Sequence, residues 1–146
     1  IPFFLNNKNN IYHVTDSRMT RFCITLEESV KAAQWTIKNA KGGEIVVPKV
    51  PSYRILDLVK AINKDAKIKI IGIRPGEKLY EELISNSDNT NSYDLGRYFI
   101  IQDNMTNSKI KYKKNSDNFS YNSENNDNFY SVSQLRKIIS NTKQDG

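Results

Sequence analysis

Apolar residues recur at helical spacing through Leu26, Val30, Ala33, Ile37 and Ala40, a stripe that predicts an amphipathic helix. Both ends of that helix are marked. Thr25-Leu26-Glu27-Glu28 has the form of a capping box, in which the Thr25 hydroxyl and the Glu28 carboxylate each accept the other's backbone N–H. Gly42-Gly43 supplies a left-handed stop. Glu44-Ile45-Val46-Val47 then reads as a short β-branched strand closed by Pro48. A second helical face follows at Ile55, Leu58, Val59 and Ile62, with Ser52 as its candidate cap. Lys67 to Ile73 reads as a buried strand, and a helix is expected from about Glu77 to Ile84. The apolar runs are continuous rather than alternating, as in strands of a parallel sheet covered on both faces. Strand and helix alternate, so the fold class is α/β.

From Ser85 the pattern changes. Asn, Ser and Asp dominate residues 85–94, which reads as a loop, and Tyr98-Phe99-Ile100-Ile101 reads as another strand. Residues 102–128 are polar and lack periodicity, which predicts an irregular tail. A last helix from about Val132 to Ser140 has Val132, Leu135, Ile138 and Ile139 as its buried edge and Ser131 as its cap. So few short elements bury only a thin core. The chain also opens on Ile1, inside the apolar run Ile1-Pro2-Phe3-Phe4-Leu5, as a piece cut from a longer polypeptide would.

Composition narrows the function classes. The 146 residues are 38% apolar and 26% charged, and no run approaches the roughly 20 apolar residues that cross a bilayer. A single cysteine, Cys23, fits a reducing, cytoplasmic setting and reads as a small core residue. The net charge of +6 invites a nucleic-acid reading. Its tightest cluster, Lys109, Lys111, Lys113 and Lys114, alternates with Ile110 and Tyr112 and suits a connector or a protected edge strand better. No nucleic-acid reading motif occurs. One His and one Cys cannot make a usual metal shell, and His13 reads as an ordinary strand or loop residue. No G-x-G-x-x-G, Walker loop or Tyr-x-x-x-Lys pair is present, so this stretch carries no catalytic, cofactor-binding or metal residues of its own.

What remains is anion binding. Ile70-Ile71-Gly72-Ile73-Arg74-Pro75-Gly76-Glu77 predicts a strand leaving through a type II Pro-Gly turn. Arg74 then stands at the carboxyl end of a strand, where open α/β sheets place ligands, and its guanidinium suits a phosphate or carboxylate. The alternative is a plain surface arginine. Arg21 lies among Met19, Phe22 and Ile24, a setting that holds its charge against the core and demands an anionic partner. If Arg21 and Arg74 converge, they offset the roughly two charges of a pyrophosphate. The competing role for Arg21 is an internal ion pair with Asp16 or Glu77. Glu77 can serve its own helix start or accept from sugar hydroxyls.

Several blocks together resemble the second half of a known family. Val14-Thr15-Asp16-Ser17-Arg18-Met19-Thr20-Arg21-Phe22, then Ile24-Thr25-Leu26-Glu27-Glu28, is similar to the inverting UDP-N-acetylglucosamine 4,6-dehydratases. Gly42-Gly43-Glu44-Ile45, Val47-Pro48-Lys49-Val50-Pro51-Ser52 and, most specifically, Ile71-Gly72-Ile73-Arg74-Pro75-Gly76-Glu77-Lys78-Leu79 continue the likeness. Phe119-Ser120-Tyr121-Asn122-Ser123 and Val132-Ser133-Gln134-Leu135 carry it into the tail. The family often has Trp where this chain has Cys23 and His where it has Tyr80. Related 5-inverting dehydratases and 4-epimerases tend to read Thr and His at Ile73 and Pro75, which favours the 4,6-dehydratase branch.

The resemblance implies the C-terminal substrate-binding part of an extended short-chain dehydrogenase/reductase of surface-polysaccharide and pseudaminic acid biosynthesis. Residues 1–103 would form its substrate-binding α/β region and 104–146 a tail with a short helix. An NADP-binding Rossmann domain with the catalytic Asp, Lys and Tyr would lie upstream of Ile1. In that family, hydride leaves C4 of the sugar, water is eliminated across C5 and C6, and hydride returns to C6 with inversion at C5. By motif position Arg21 and Arg74 correspond to arginines that bind the nucleotide diphosphate, Glu77 to a substrate-site acid, and Tyr12 to Thr15 to the uracil wall. UDP-sugar is the implied partner, and the full-length protein is expected to be a homo-oligomer. The alternatives are part of a UDP-sugar 4-epimerase, or a non-enzymatic basic binding module.

Overall fold

The structure, a computed structural model, describes residues 2–5, 7, 10–102 and 113–142. In chain order its elements are α1 (Pro2–Leu5), β1 (Ile11–Val14), β2 (Thr20–Phe22), α2 (Leu26–Asn39), β3 (Ile45–Pro48), β4 (Ser52–Arg54), α3 (Ile55–Ile62), β5 (Lys67–Ile70), β6 (Glu82–Ile84), a 3-10 turn (Asp88–Asn91), β7 (Ser92–Asp94), β8 (Tyr98–Ile101), β9 (Lys113–Lys114), β10 (Tyr121–Asn122) and α4 (Val132–Thr142). The class is mixed α/β, as the alternation of patterns predicts. The chain forms two units, one of Ile1–Phe22, Pro51–Glu81 and Ser123–Gly146, the other of Cys23–Val50 and Glu82–Asn122.

In the first unit β1 pairs in parallel with β5, and β2 pairs antiparallel with β4. Helix α3 packs its apolar stripe inward, burying Ile55, Leu58 and Val59, and α4 contributes Leu135 and Ile139 to the same core. The Arg136 side chain donates to the carbonyls of Lys60 (3.2 Å) and Ala61 (3.3 Å), occupying carbonyls at the end of α3 that lack helical partners. Ser131 and Gln134 form a second capping box, with Gln134 N–H on the Ser131 hydroxyl (3.3 Å) and Ser131 N–H on the Gln134 amide oxygen (2.8 Å).

The second unit is built on the antiparallel sheet β3-β8-β7-β9, beside the short pair β6–β10. Phe99 anchors it, with the rings of Phe119 and Tyr121 at 5.0 and 5.1 Å. Buried Tyr121 donates its hydroxyl to the Val50 carbonyl and accepts the Val50 N–H, both at 2.9 Å. On α2 the Thr25–Glu28 capping box forms as expected, and Trp35 stacks on Tyr98 at 4.3 Å. Lys113 and Lys114 form the edge strand β9, and the remainder of that lysine cluster lies outside the described residues.

Five expectations need correction. The helix expected from Glu77 to Ile84 is absent, and its end is strand β6 instead. The backbone here bonds to β2 instead: the Leu79 carbonyl accepts from Thr20 N–H (3.0 Å) and Arg21, and the Lys78 carbonyl accepts from Arg21, contacts that compete with helical bonding and hold the segment beside that strand. The strand from Lys67 ends at Ile70 and is not buried, with Ile70, Ile71 and Ile73 all exposed. Among the described residues β1–β5 is the one parallel strand pair and the others are antiparallel; of these, β7–β8 is a short hairpin, while β2–β4, β3–β8 and β6–β10 join strands distant in the chain. Ser52 does not cap α3. It is fully buried in β4, exchanging backbone bonds with Asn128 and Tyr130 (2.8 Å each) and accepting from the Asn126 amide (2.9 Å). Finally, residues 85–94 and 102–128 are less irregular than their composition suggests, since the described part contains a 3-10 turn, β7, β9 and β10.

Candidate functional site

The parallel pair β1–β5 sets up the site. Pairing continues past β5, where Ile71 N–H donates to the Val14 carbonyl at 3.0 Å, and the chain then reverses at Arg74-Pro75-Gly76-Glu77. Glu77 N–H donates to the Arg74 carbonyl (3.0 Å) and Gly76 has φ +82°, the type II geometry that the Pro-Gly pair predicts. Glu77 bends its carboxylate back over this turn. One oxygen accepts the Arg74 N–H (3.2 Å) and the other the Thr15 hydroxyl (3.3 Å), so the acid braces the turn to the end of β1. The Arg74 guanidinium is left exposed, with no hydrogen-bond or ion-pair partner among the described residues.

Arg21 is held differently. From β2 its side chain, 21% exposed, donates Nη1 to the carbonyls of Thr20 (2.7 Å) and Leu79 (3.1 Å) and Nη2 to that of Lys78 (3.0 Å). Its nearest acid is neither Asp16 nor Glu77 but Glu81, with Nε 3.7 Å from a carboxylate oxygen that is itself half exposed. Glu81 in turn accepts the Phe22 N–H at 3.0 Å. Three neutral carbonyls fix the guanidinium without cancelling its charge. Asp16 is engaged elsewhere: hydrogen bonds from the Arg18 side chain and backbone pull its carboxyl down to about 2.

Arg21, Arg74 and Glu77 line one cavity of about 590 Å³, together with His13, Val14, Thr15, Met19 and Ile55. Two guanidinium groups and the Glu77 carboxylate line it, with Glu81 offsetting part of the Arg21 charge from 3.7 Å, and its apolar wall suits a ring. The arrangement can seat a doubly charged linker with a flat group beside it. Of the stretch matched to a uracil wall, His13, Val14 and Thr15 reach the cavity, whereas Tyr12 is buried with its ring 6.1 Å from that of Phe4. Period-2 alternation on β1 was the available signal for His13, since Tyr12 and Val14 form the buried face and Ile11 and His13 the other. A smaller cavity of about 300 Å³ in the second unit also has basic residues, but its Lys49 is held by Asp94 at 2.7 Å.

Neither a metal nor a dinucleotide fits the described residues. They contain no group of three or more metal-ligating side chains. The glycines with positive φ lie after α2, in the strand-exit turn and in the β7–β8 hairpin, and none opens a helix where a pyrophosphate could sit. No helix among them is long and apolar enough to cross a membrane.

Comparison with known proteins places this geometry in context. The sequence model described as "Polysaccharide biosynthesis protein" matches residues 1–103. The chain is 38% identical over 157 aligned positions to the UDP-N-acetylglucosamine 4,6-dehydratase (inverting) of Campylobacter jejuni serotype O:2, covering 98% of this chain and 47% of that protein. It is 37% identical to the UDP-glucose 4-epimerase of Rickettsia bellii, over 69% of this chain and 31% of that protein. Among solved structures, Pen from Bacillus thuringiensis shares the fold with a TM-score of 0.78 and 32% identity, over 97% of this chain and 45% of that one. The chain thus spans about half the length of the curated dehydratases it matches.

Proposed function

The chain belongs to the family of polysaccharide biosynthesis proteins, and on that footing we propose that it is the UDP-sugar-binding, C-terminal part of a nucleotide-sugar 4,6-dehydratase. One observation carries the reading: Arg74, with no acidic partner among the described residues, and Arg21, fixed by three neutral carbonyls with Glu81 3.7 Å from its Nε, line the same cavity. In this role the two guanidiniums bind the diphosphate, Glu77 accepts from sugar hydroxyls, and β1 residues His13 to Thr15 flank the base. The substrate is UDP-N-acetylglucosamine, the pathway surface polysaccharide or pseudaminic acid synthesis, and the setting cytoplasmic. Residues 1–103 supply the binding region and 104–146 the tail. Hydride chemistry belongs to an NADP-binding Rossmann domain of the extended short-chain dehydrogenase/reductase type. Nothing in the described residues fits that cofactor, so this chain's part is to bind and orient the sugar nucleotide. The dehydratase match spans the tail as well as the cavity, whereas the epimerase match covers a smaller share of the chain, which favours the dehydratase branch.

Calorimetric titration with UDP tests this. Measurable binding is expected, weakened roughly ten- to hundredfold by Arg74→Ala, since a hydrogen bond to a charged group contributes about 1.5–3 kcal/mol. Absence of UDP binding, or binding indifferent to Arg74→Ala, would sink the assignment.

A further inference from the structure

Ser123 belongs to the polar tail, yet it is fully buried. Its hydrogen bonds give the reason. Its N–H donates to the Glu81 carbonyl (2.8 Å) and its hydroxyl accepts the Glu81 N–H (3.0 Å), so one residue takes both backbone groups of Glu81. The same hydroxyl shares a hydrogen bond of 2.9 Å with the hydroxyl of Thr20, which is also buried. Ser123 therefore ties β2 to residue 81 from behind.

Those two stretches are the ones that cradle Arg21. Thr20 supplies one carbonyl to its guanidinium, Leu79 and Lys78 supply the others, and the Glu81 carboxylate lies 3.7 Å from its Nε. The stretches also meet directly, through Thr20 N–H on the Leu79 carbonyl (3.0 Å) and Phe22 N–H on the Glu81 carboxylate (3.0 Å). The tail grips the neighbouring strand as well. In β4, Ser52 takes the Asn126 amide and the backbone of Asn128 and Tyr130, and Tyr53 beside it is the register partner of Arg21. Ser123 is not among the residues that line the cavity, so any influence on a ligand passes through Arg21.

We propose that Ser123 is a positioning residue of the diphosphate site, holding β2 and residues 78–81 together so that the Arg21 guanidinium keeps one orientation in the cavity. This rests on the nucleotide-sugar reading and makes the tail part of the binding site. A guanidinium fixed beforehand has less freedom to lose when an anion docks, and cutting the tie shows as weaker binding by protein that is still folded.

UDP titration followed by NMR shifts, on chains shown to be folded by their urea midpoints, tests the role. Ser123→Ala should weaken UDP binding roughly tenfold in the parent. In the Arg21→Ala background the same change should alter it less than about twofold, since two residues that act as one unit are not additive. A purely structural role would give the same loss in both backgrounds. The Arg21 Nε–H resonance gives a readout without ligand, and it should move toward that of an unrestrained arginine in Ser123→Ala. Where Ser123→Ala does not fold, Thr20→Val cuts the same link from the other side and should weaken UDP binding, whereas Thr20→Ser keeps the hydroxyl and should stay near the parent. An Arg21 resonance unmoved by Ser123→Ala, or equal UDP binding by parent and folded variant, would overturn the role while leaving the nucleotide-sugar reading intact. A parent that binds no UDP at all would overturn that reading, and this role with it.

Discussion

Arg21 and Arg74 line the same cavity, yet they should behave differently when removed. Truncating Arg21 strips a donor from the carbonyls of Thr20, Leu79 and Lys78, which fixed the segment after the Pro-Gly turn. Partly buried carbonyls that lose a charged donor cost about 1.5–3 kcal/mol, so Arg21→Ala should lower the urea midpoint as well as UDP affinity. Arg74→Ala removes only an exposed side chain, and its stability should stay within about 0.5 kcal/mol of the parent. A second test concerns Asp16. Its hydrogen bonds from Arg18 depress its folded pKa to about 2, below the ordinary value of 3.8, so its contribution to stability is intact above about pH 3.8 and is lost as pH falls through about 2. Carboxyl titration by NMR should show the low midpoint in the parent, and Arg18→Ala should raise it only part of the way to the ordinary aspartate value, because the backbone N–H of residue 18 still donates to the carboxylate.

Elements whose signals are local were legible in the sequence. Thr25 and Glu28, three residues apart, formed their reciprocal bonds, and Pro75-Gly76 formed its turn, because each depends on a few adjacent dihedrals. Thr25→Ala should therefore cost about 1 kcal/mol in thermal or urea unfolding. Distant competition was not legible. The stretch after Glu77 reads as a helix until Arg21, 57 and 58 positions away, occupies its carbonyls. Ser52 looks like a cap until residues from the tail bury it. The α2 stripe, whose Leu26 and Ile37 are exposed, shows the complementary limit, for periodicity defines a face without saying what covers it. At the candidate site, Arg21, Arg74 and Glu77 stand out in the sequence by residue type, and the structure lines one cavity with them. The role of neutral carbonyls in fixing Arg21 was not legible, because backbone acceptors leave no mark in a sequence.

At the scale of the whole molecule the question is whether the +6 charge acts as a diffuse field or through one built cleft. Exposed lysines spread along the chain attract any polyanion by counterion release, an effect that grows with the number of phosphates engaged. A cleft carrying two guanidiniums engages only the couple of charges of one diphosphate. The two modes therefore respond differently to salt and to substitution. A polyanion meeting 6–10 cations should lose roughly 10³–10⁵ in affinity between about 50 and 200 mM salt. UDP, meeting two, should lose only about tenfold or less over the same range. Arg74→Ala removes half of the cleft's guanidinium charge but only one of the chain's 22 Lys and Arg residues. It should therefore abolish most UDP binding while leaving heparin retention nearly unchanged. Parallel salt titrations of both ligands, on parent and variant, separate the two modes. Equal salt slopes, with equal indifference to Arg74, would mean that the cavity contributes nothing beyond its share of the general charge.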